Sequence, residues 1–229
     1  MLLVPNLSIN RPWPRPSIGN WWDPEYITEA WDASTNVTVT GTGVSGWTGR
    51  KLGRVLAQGT DAKRPDYADQ IISGNGTSDL LKLAFTLDLP FTFGGVWRVD
   101  DGAGSTLWDG GVTINHGRFL SQFPGSVLDF AALNNVQIET TTHFNVGQFY
   151  AFVVVYNNAS SVIRVNKTVT VTGTTGTNNA EGLSIFGDAQ EITRSASSTK
   201  AHFYCNTALD TAQQDATLDA LMRQYAVAA

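Results

Sequence analysis

The chain of 229 residues is long enough to bury one sizeable core and too short for two full domains. With 42% hydrophobic residues, 11 phenylalanines and only 15% charged residues, it is too apolar and aromatic to stay disordered. A net charge of −5 with no Lys/Arg cluster excludes a phosphate-neutralising nucleic-acid binder, and a single cysteine, Cys205, excludes an intrachain disulfide framework or a multi-cysteine metal site.

From the N-terminus, Met1-Leu-Leu-Val-Pro-Asn-Leu7 has neither the basic start nor the apolar run of a signal peptide, so synthesis in a host cytoplasm without classical secretion is expected. No stretch approaches the roughly 20 apolar residues of a membrane-spanning helix, so no membrane partner is expected. Residues 1–30 hold five of the eight prolines, Pro5, Pro12, Pro14, Pro16 and Pro24, beside Trp13, Trp21 and Trp22. Proline at that density opposes helix and favours extended chain. The bulky rings of such an arm must be buried, either on their own domain, which costs less entropy, or on a neighbour. In the second case Pro12, Trp13, Pro14, Trp21 and Trp22 are the anchoring residues. The expected organisation is an arm at 1–30 and one domain at 31–229.

From residue 35 to 205 short strands alternate with turns. The expected strands are 38–40, 80–85, 91–99, 112–114, 127–130, 136–138, 150–156, 162–165, 169–171, 183–186 and 201–205. In Tyr150-Ala-Phe-Val-Val-Val-Tyr156 both alternating faces are apolar, so this strand belongs mid-sheet with cover on each side. Val162-Ile-Arg-Val-Asn166 and Thr168-Val-Thr-Val-Thr172 alternate strictly, which predicts one dry and one wet face. Thr211-Ala-Gln-Gln214 reads as a capping box, and Leu218, Leu221, Met222 and Tyr225 follow at helical spacing. One amphipathic helix over about 211–225 is predicted, laid on the edge or end of an all-β sandwich.

The chemistry-bearing residues are sparse. A sandwich glycosidase needs two facing carboxylates, yet the five glutamates form no Glu-x-Asp-x-Glu run; Glu139 is the best single candidate and reads as an exposed edge carboxylate. His116, His143 and His202 show no metal-ligand spacing and read as structural. Asp100, Asp101 and Asp109 could offer hard oxygens to Ca²⁺, although Asp-Gly is an ordinary hairpin signal, so no cofactor is expected. Cys205, ending an apolar strand, reads as a small buried residue. All seven tryptophans lie in the first 108 residues, which invites a sugar-stacking reading beside the simpler one of packing.

In order along the chain, Trp31-Asp-Ala-Ser34, Val44-Ser-Gly-Trp47, Ala57-Gln58, Arg64-Pro-Asp-Tyr67, Phe91 to Val99, Tyr150 to Tyr156 with Val165-Asn166, Leu183-Ser-Ile-Phe-Gly187, Phe203, Ala208-Leu209 and Gln224-Tyr-Ala-Val227 stand out. Together they resemble the concanavalin A-like lectin/glucanase superfamily, in the laminin-G-like form found in bacteriophage virion proteins. The run Thr48-Gly-Arg-Lys51 departs from the Asp-x-Ser-Gly-x-Gly often seen after the tryptophan, so no ligand or calcium site is carried over.

The resemblance implies an all-β, two-sheet antiparallel jelly-roll sandwich with one C-terminal helix and an extended N-terminal arm. It further implies a non-enzymatic virion structural protein, on capsid or tail, displayed at the virion surface and partnered by other virion proteins. Homo-oligomers and glycan binding are implied as well. The competing readings are a free carbohydrate-binding protein and, last, a sandwich glycosidase.

Overall fold

A computed structural model describes residues 19–111, 116–123 and 127–228. Its first strands are β1 (Glu29–Asp32), β2 (Val37–Thr40), β3 (Gly43–Thr48), β4 (Val55–Ala57), β5 (Asp66–Ala68) and β6 (Ile71–Asn75). The long central strands β7 (Leu81–Leu87) and β8 (Phe91–Val99) come next, then β9 (Ser105–Asp109), β10 (Arg118–Gln122), β11 (Asp129–Leu133) and β12 (Gln137–Glu139). The last strands are β13 (Phe149–Tyr156), β14 (Ser161–Val165), β15 (Val169–Gly173), β16 (Ala180–Ile185) and β17 (Ala196–Cys205), and the chain closes with helix α1 (Thr211–Tyr225).

These strands form two antiparallel sheets packed as a jelly-roll sandwich. The nine-stranded sheet runs β12-β11-β10-β9-β16-β7-β4-β3-β2; the eight-stranded sheet runs β15-β14-β13-β8-β17-β6-β5, with β1 also paired to β17. The helix predicted at 211–225 is present over that range. The expected strand 112–114 lies outside the described residues, and 127–130 is displaced to β11.

Alternation on β13 explains the layering. Phe152, Val154 and Tyr156 point into the inter-sheet core, whereas Ala151, Val153 and Val155 point outward into a second apolar layer. There they meet Leu218 and Leu221 of α1 together with Trp21, Trp22 and Ile27. The two-sided cover read from 150–156 is therefore supplied by the opposite sheet inside and by α1 with the segment before β1 outside. Each fully buried large apolar side chain contributes about 1.5–3 kcal/mol. Close approach in the middle of β8 requires Gly94 and Gly95: a Cβ on Gly95 would stand 2.1 Å from the carbonyl oxygen of Ala201.

Several expectations are corrected. α1 lies on the face of the eight-stranded sheet, not its edge or end, because that face is too apolar to leave to water. Its cap is Asp210, not Thr211: the Asp210 carboxylate accepts from the amide of Gln213 at 2.9 Å, and the Gln213 side chain accepts from the amide of Asp210 at 3.0 Å. The face of β14 expected to be wet is covered, with Arg164 buried and paired to Asp215 of α1 at 2.7 Å.

The N-terminal boundary also moves. Trp21 and Trp22 are 1% and 8% exposed and belong to the outer layer of the domain, so these two proposed anchors are occupied by their own chain. The packing removes the indoles from water without a partner, the outcome that costs less entropy. Pro12, Trp13 and Pro14 lie outside the described residues.

Candidate functional site on the open sheet face

One face of the eight-stranded sheet is covered by α1, which leaves the outer face of the nine-stranded sheet as the broad surface not overlaid by the helix. On β10 the alternation is regular: Phe119 enters the core, where it stacks on Trp108 at 4.4 Å, while Arg118, Leu120 and Gln122 face outward. A hollow of about 460 Å³ opens there, lined by Gly104, Arg118, Leu120, Gln122, Phe123 and Thr193.

Arg118 forms the floor. Its Nε donates to Thr106 Oγ1 at 2.7 Å, its Nη2 donates to Thr193 Oγ1 at 2.7 Å, and Asp188 Oδ2 lies 3.8 Å away. Asp188 in turn accepts from the amides of Ile192 and Thr193 at 2.8 and 2.9 Å and from the Thr193 hydroxyl at 2.7 Å. The connection between β16 and β17 is thereby fixed against β9 and β10. Glu191 anchors its outer side, accepting from Lys63 at 2.7 Å, Lys82 at 2.9 Å and Arg194 at 3.1 Å; the hydrogen bonds and charges of Lys63 and Lys82 hold its carboxyl down to about 2. Ile192, at the tip, is 70% exposed beside the hollow.

Asp109, at the end of β9, is fully buried behind this floor. Burial pushes its carboxyl up to about 6, against the pull of Arg118, and its Oδ2 has no hydrogen-bond partner among the described residues. Chemically, the hollow offers apolar walls, a guanidinium and amide and hydroxyl groups held in fixed positions. That combination suits a small polyhydroxylated ligand with both C–H faces and hydroxyls to satisfy. Asp109 and Asp188, the two carboxylates around Arg118, are each 0% exposed.

The residues singled out in the sequence are dispersed. Glu139 is an exposed carboxylate on edge strand β12, accepting from Gln137 at 2.9 Å. His143 Nδ1 lies 3.1 Å from Asp129 Oδ1, and His116 Nδ1 lies 2.8 Å from the carbonyl of Asn179. His202 is fully buried among rings, 5.2 Å from Trp108 and 5.9 Å from Trp97, with neither ring nitrogen hydrogen-bonded among the described residues; burial pushes it down to about 3.

Asp100, Asp101 and Asp109 do not act together. Asp100 pairs with Arg98 and accepts from Ser198, Asp101 accepts from the amide of Ala103 at 3.1 Å, and Asp109 sits at the far end of β9. Among the described residues no group of three or more metal-binding side chains converges. Cys205 is buried, its thiol pushed up to about 12. Of the tryptophans, Trp31, Trp47, Trp97 and Trp108 are core residues rather than a sugar platform.

Arg118, Leu120, Asp188 and Thr193 were missed in the sequence. The alternation Arg118-Phe-Leu-Ser-Gln122 was the available signal for an outward Arg and Leu, whereas nothing local marks Asp188 as their neighbour.

No protein-family model matches the chain, and the comparison with curated proteins found no match. Solved structures do match. A Trypanosoma rangeli sialidase in complex with sialic acid superposes with a TM-score of 0.63 at 11% identity, over 91% of this chain and 35% of that one. The same organism's sialidase as a covalent intermediate with 2,3-difluorosialic acid gives 0.64 at 11% identity, over 91% and 34%. A heptameric pentraxin from Limulus polyphemus gives 0.48 at 13% identity, over 64% and 79%. The chain spans about a third of the length of the sialidases. At this identity the likeness shows a shared β-sandwich fold and nothing of activity.

Proposed function

We propose that this chain is a non-enzymatic, lectin-like module that takes a glycan in the Arg118 hollow and serves as a structural protein at the surface of a bacteriophage virion, on capsid or tail. The observation that carries the glycan reading is the amphipathic hollow on the open sheet face, with Leu120 and Phe123 as walls, Gln122 at the rim and Arg118 as a fixed floor. Fold likeness to a sialidase crystallised with sialic acid is compatible with it. The non-enzymatic part rests on the burial of Asp109 and Asp188, since a glycosidase of the two-carboxylate kind needs both carboxyl groups to touch the sugar.

Virion placement rests on the resemblance to phage domains of this form and on the Pro/Trp-rich beginning of the chain. With Trp21 and Trp22 committed to the domain, the anchoring role falls to Pro12, Trp13 and Pro14.

A glycan array followed by calorimetry tests the first part. Leu120→Asp and Gln122→Ala should each abolish or weaken binding with thermal unfolding unchanged, and an array blank for neutral and acidic glycans would overturn it. Removing residues 1–18 should release the protein from particles while glycan binding persists; retained attachment would refute the anchor. Glycan binding by a protein that never associates with particles would make it a free lectin. Sugar release by the pure protein would make it a glycosidase.

A further inference from the structure

Arg118 is the one ionisable group among the described residues that line the hollow, so what its guanidinium has left to offer decides which charge a ligand there can carry. A carboxylate or sulfate is held best by two parallel N–H donors, and both two-donor edges of a guanidinium, Nε with Nη2 and Nη1 with Nη2, include Nη2. Here Nη2 is already engaged. It donates to Thr106 Oγ1 and, at 2.7 Å, to Thr193 Oγ1, while Nε donates to Thr106 Oγ1 at 2.7 Å. The chain of bonds runs on: Thr106 Oγ1 lies 2.7 Å from Thr193 Oγ1, and the Thr193 hydroxyl donates to Asp188 Oδ2 at 2.7 Å. With the Thr193 proton committed to Asp188, the proton between the two threonines comes from Thr106.

Charge is compensated in the same place. Asp188 Oδ2 lies 3.8 Å from Nη2, and Asp109 also acts on the guanidinium from behind the floor. Two buried carboxylates thus surround one buried cation, and an anion entering the hollow would meet them where water screens little. At the rim, Gln122 and Gln137 exchange amide contacts of 3.4 and 3.5 Å, long enough for a ligand hydroxyl, which both donates and accepts, to replace them. We propose that the hollow selects uncharged saccharides and rejects carboxylated or sulfated ones, a selectivity that rests on the glycan reading of this site and adds the charge class of its ligand.

Calorimetry of the full chain with glucose oligomers, glucuronic acid oligomers and sulfated glucose oligomers, beside an array of other neutral and acidic glycans, tests the selectivity. Neutral glycans should bind with an affinity indifferent to ionic strength, and matched acidic ones at least about tenfold more weakly. Asp188→Asn, which removes one carboxylate with little change of shape, should narrow that gap several-fold. If the variant does not fold, the ionic-strength series on the wild-type chain decides by itself. Acidic glycans bound as tightly as neutral ones or more tightly, binding that weakens with salt, or a gap unchanged in folded Asp188→Asn would overturn the selectivity and leave the glycan reading standing. Binding of no glycan of either class would overturn both.

Discussion

The indole nitrogen of Trp21 donates to the phenolic oxygen of Tyr225 at 2.9 Å, tying the segment before β1 to the last turn of α1 across 204 residues of sequence. The ring also packs edge-on to Phe203 of β17 at 5.9 Å. The first described residues are thus part of the layer over the eight-stranded sheet. Trp21→Ala should lower unfolding free energy by about 3–5 kcal/mol, as for other buried large-to-small changes. Chemical denaturation is the measurement, and a loss below about 1 kcal/mol would show that the ring is dispensable to the domain.

Glu29 and Gly49 form a second constraint. The buried Glu29 carboxylate accepts from the amides of Ala30, Lys51, Leu52 and Arg54 at 2.8 to 3.1 Å, and a Cβ on Gly49 would stand 2.3 Å from its Cδ. With four amides holding it, the carboxylate has nowhere to move. Gly49→Ala should cost about 1–3 kcal/mol by overpacking, read from the denaturation midpoint; an unchanged midpoint would mean that the loop yields.

Stability should respond to pH through two opposed groups. His202, near 6.5 when unfolded and about 3 when folded, binds fewer protons in the folded state, so its contribution is lost as pH falls from about 6.5 towards 3. Asp109, raised from 3.8 to about 6, binds more protons when folded, so its contribution is full below about 3.8 and lost as pH rises through 6. Between pH 4 and 6 the two slopes cancel. Asp109→Asn should unmask the histidine, giving a loss of about 1.4 kcal/mol per pH unit on acidification over that window. Equal slopes for wild type and variant would remove this account.

Glu191 holds the connection between β16 and β17 against Lys63, Lys82 and Arg194. Its side chain is a third exposed, so Glu191→Ala should change global stability by less than about 1 kcal/mol. Its effect should be local. Amide exchange at Ile192 and Thr193 should quicken and glycan affinity should fall several-fold, whereas unchanged exchange would show that Asp188 alone fixes the loop.

Strong alternation was legible where both neighbours of a strand were apolar. Strand 91–99 was placed to the residue, and 150–156 was extended only by Phe149. β1, β4, β5 and β6 escaped because they are short or interrupted by glycine and serine, so their side-chain periods are too brief to register. β9 and β10 escaped for a different reason: Thr106 and Arg118, polar on the outward side, are buried against Thr193, which arrives 87 and 75 residues later.

The sequence by itself determined an all-β sandwich closed by a helix at 211–225, a buried Cys205 and the doubly covered strand at 150–156, because period, capping residues and apolar content act over a few neighbours. Only the tertiary structure decided that Trp21 and Trp22 serve their own domain, that Arg118 meets Asp188 and Thr193, and that Val39 is left uncovered at a sheet edge. Those outcomes depend on which distant surfaces compete for the same apolar face or charge, and that competition is resolved only when the chain has closed on itself.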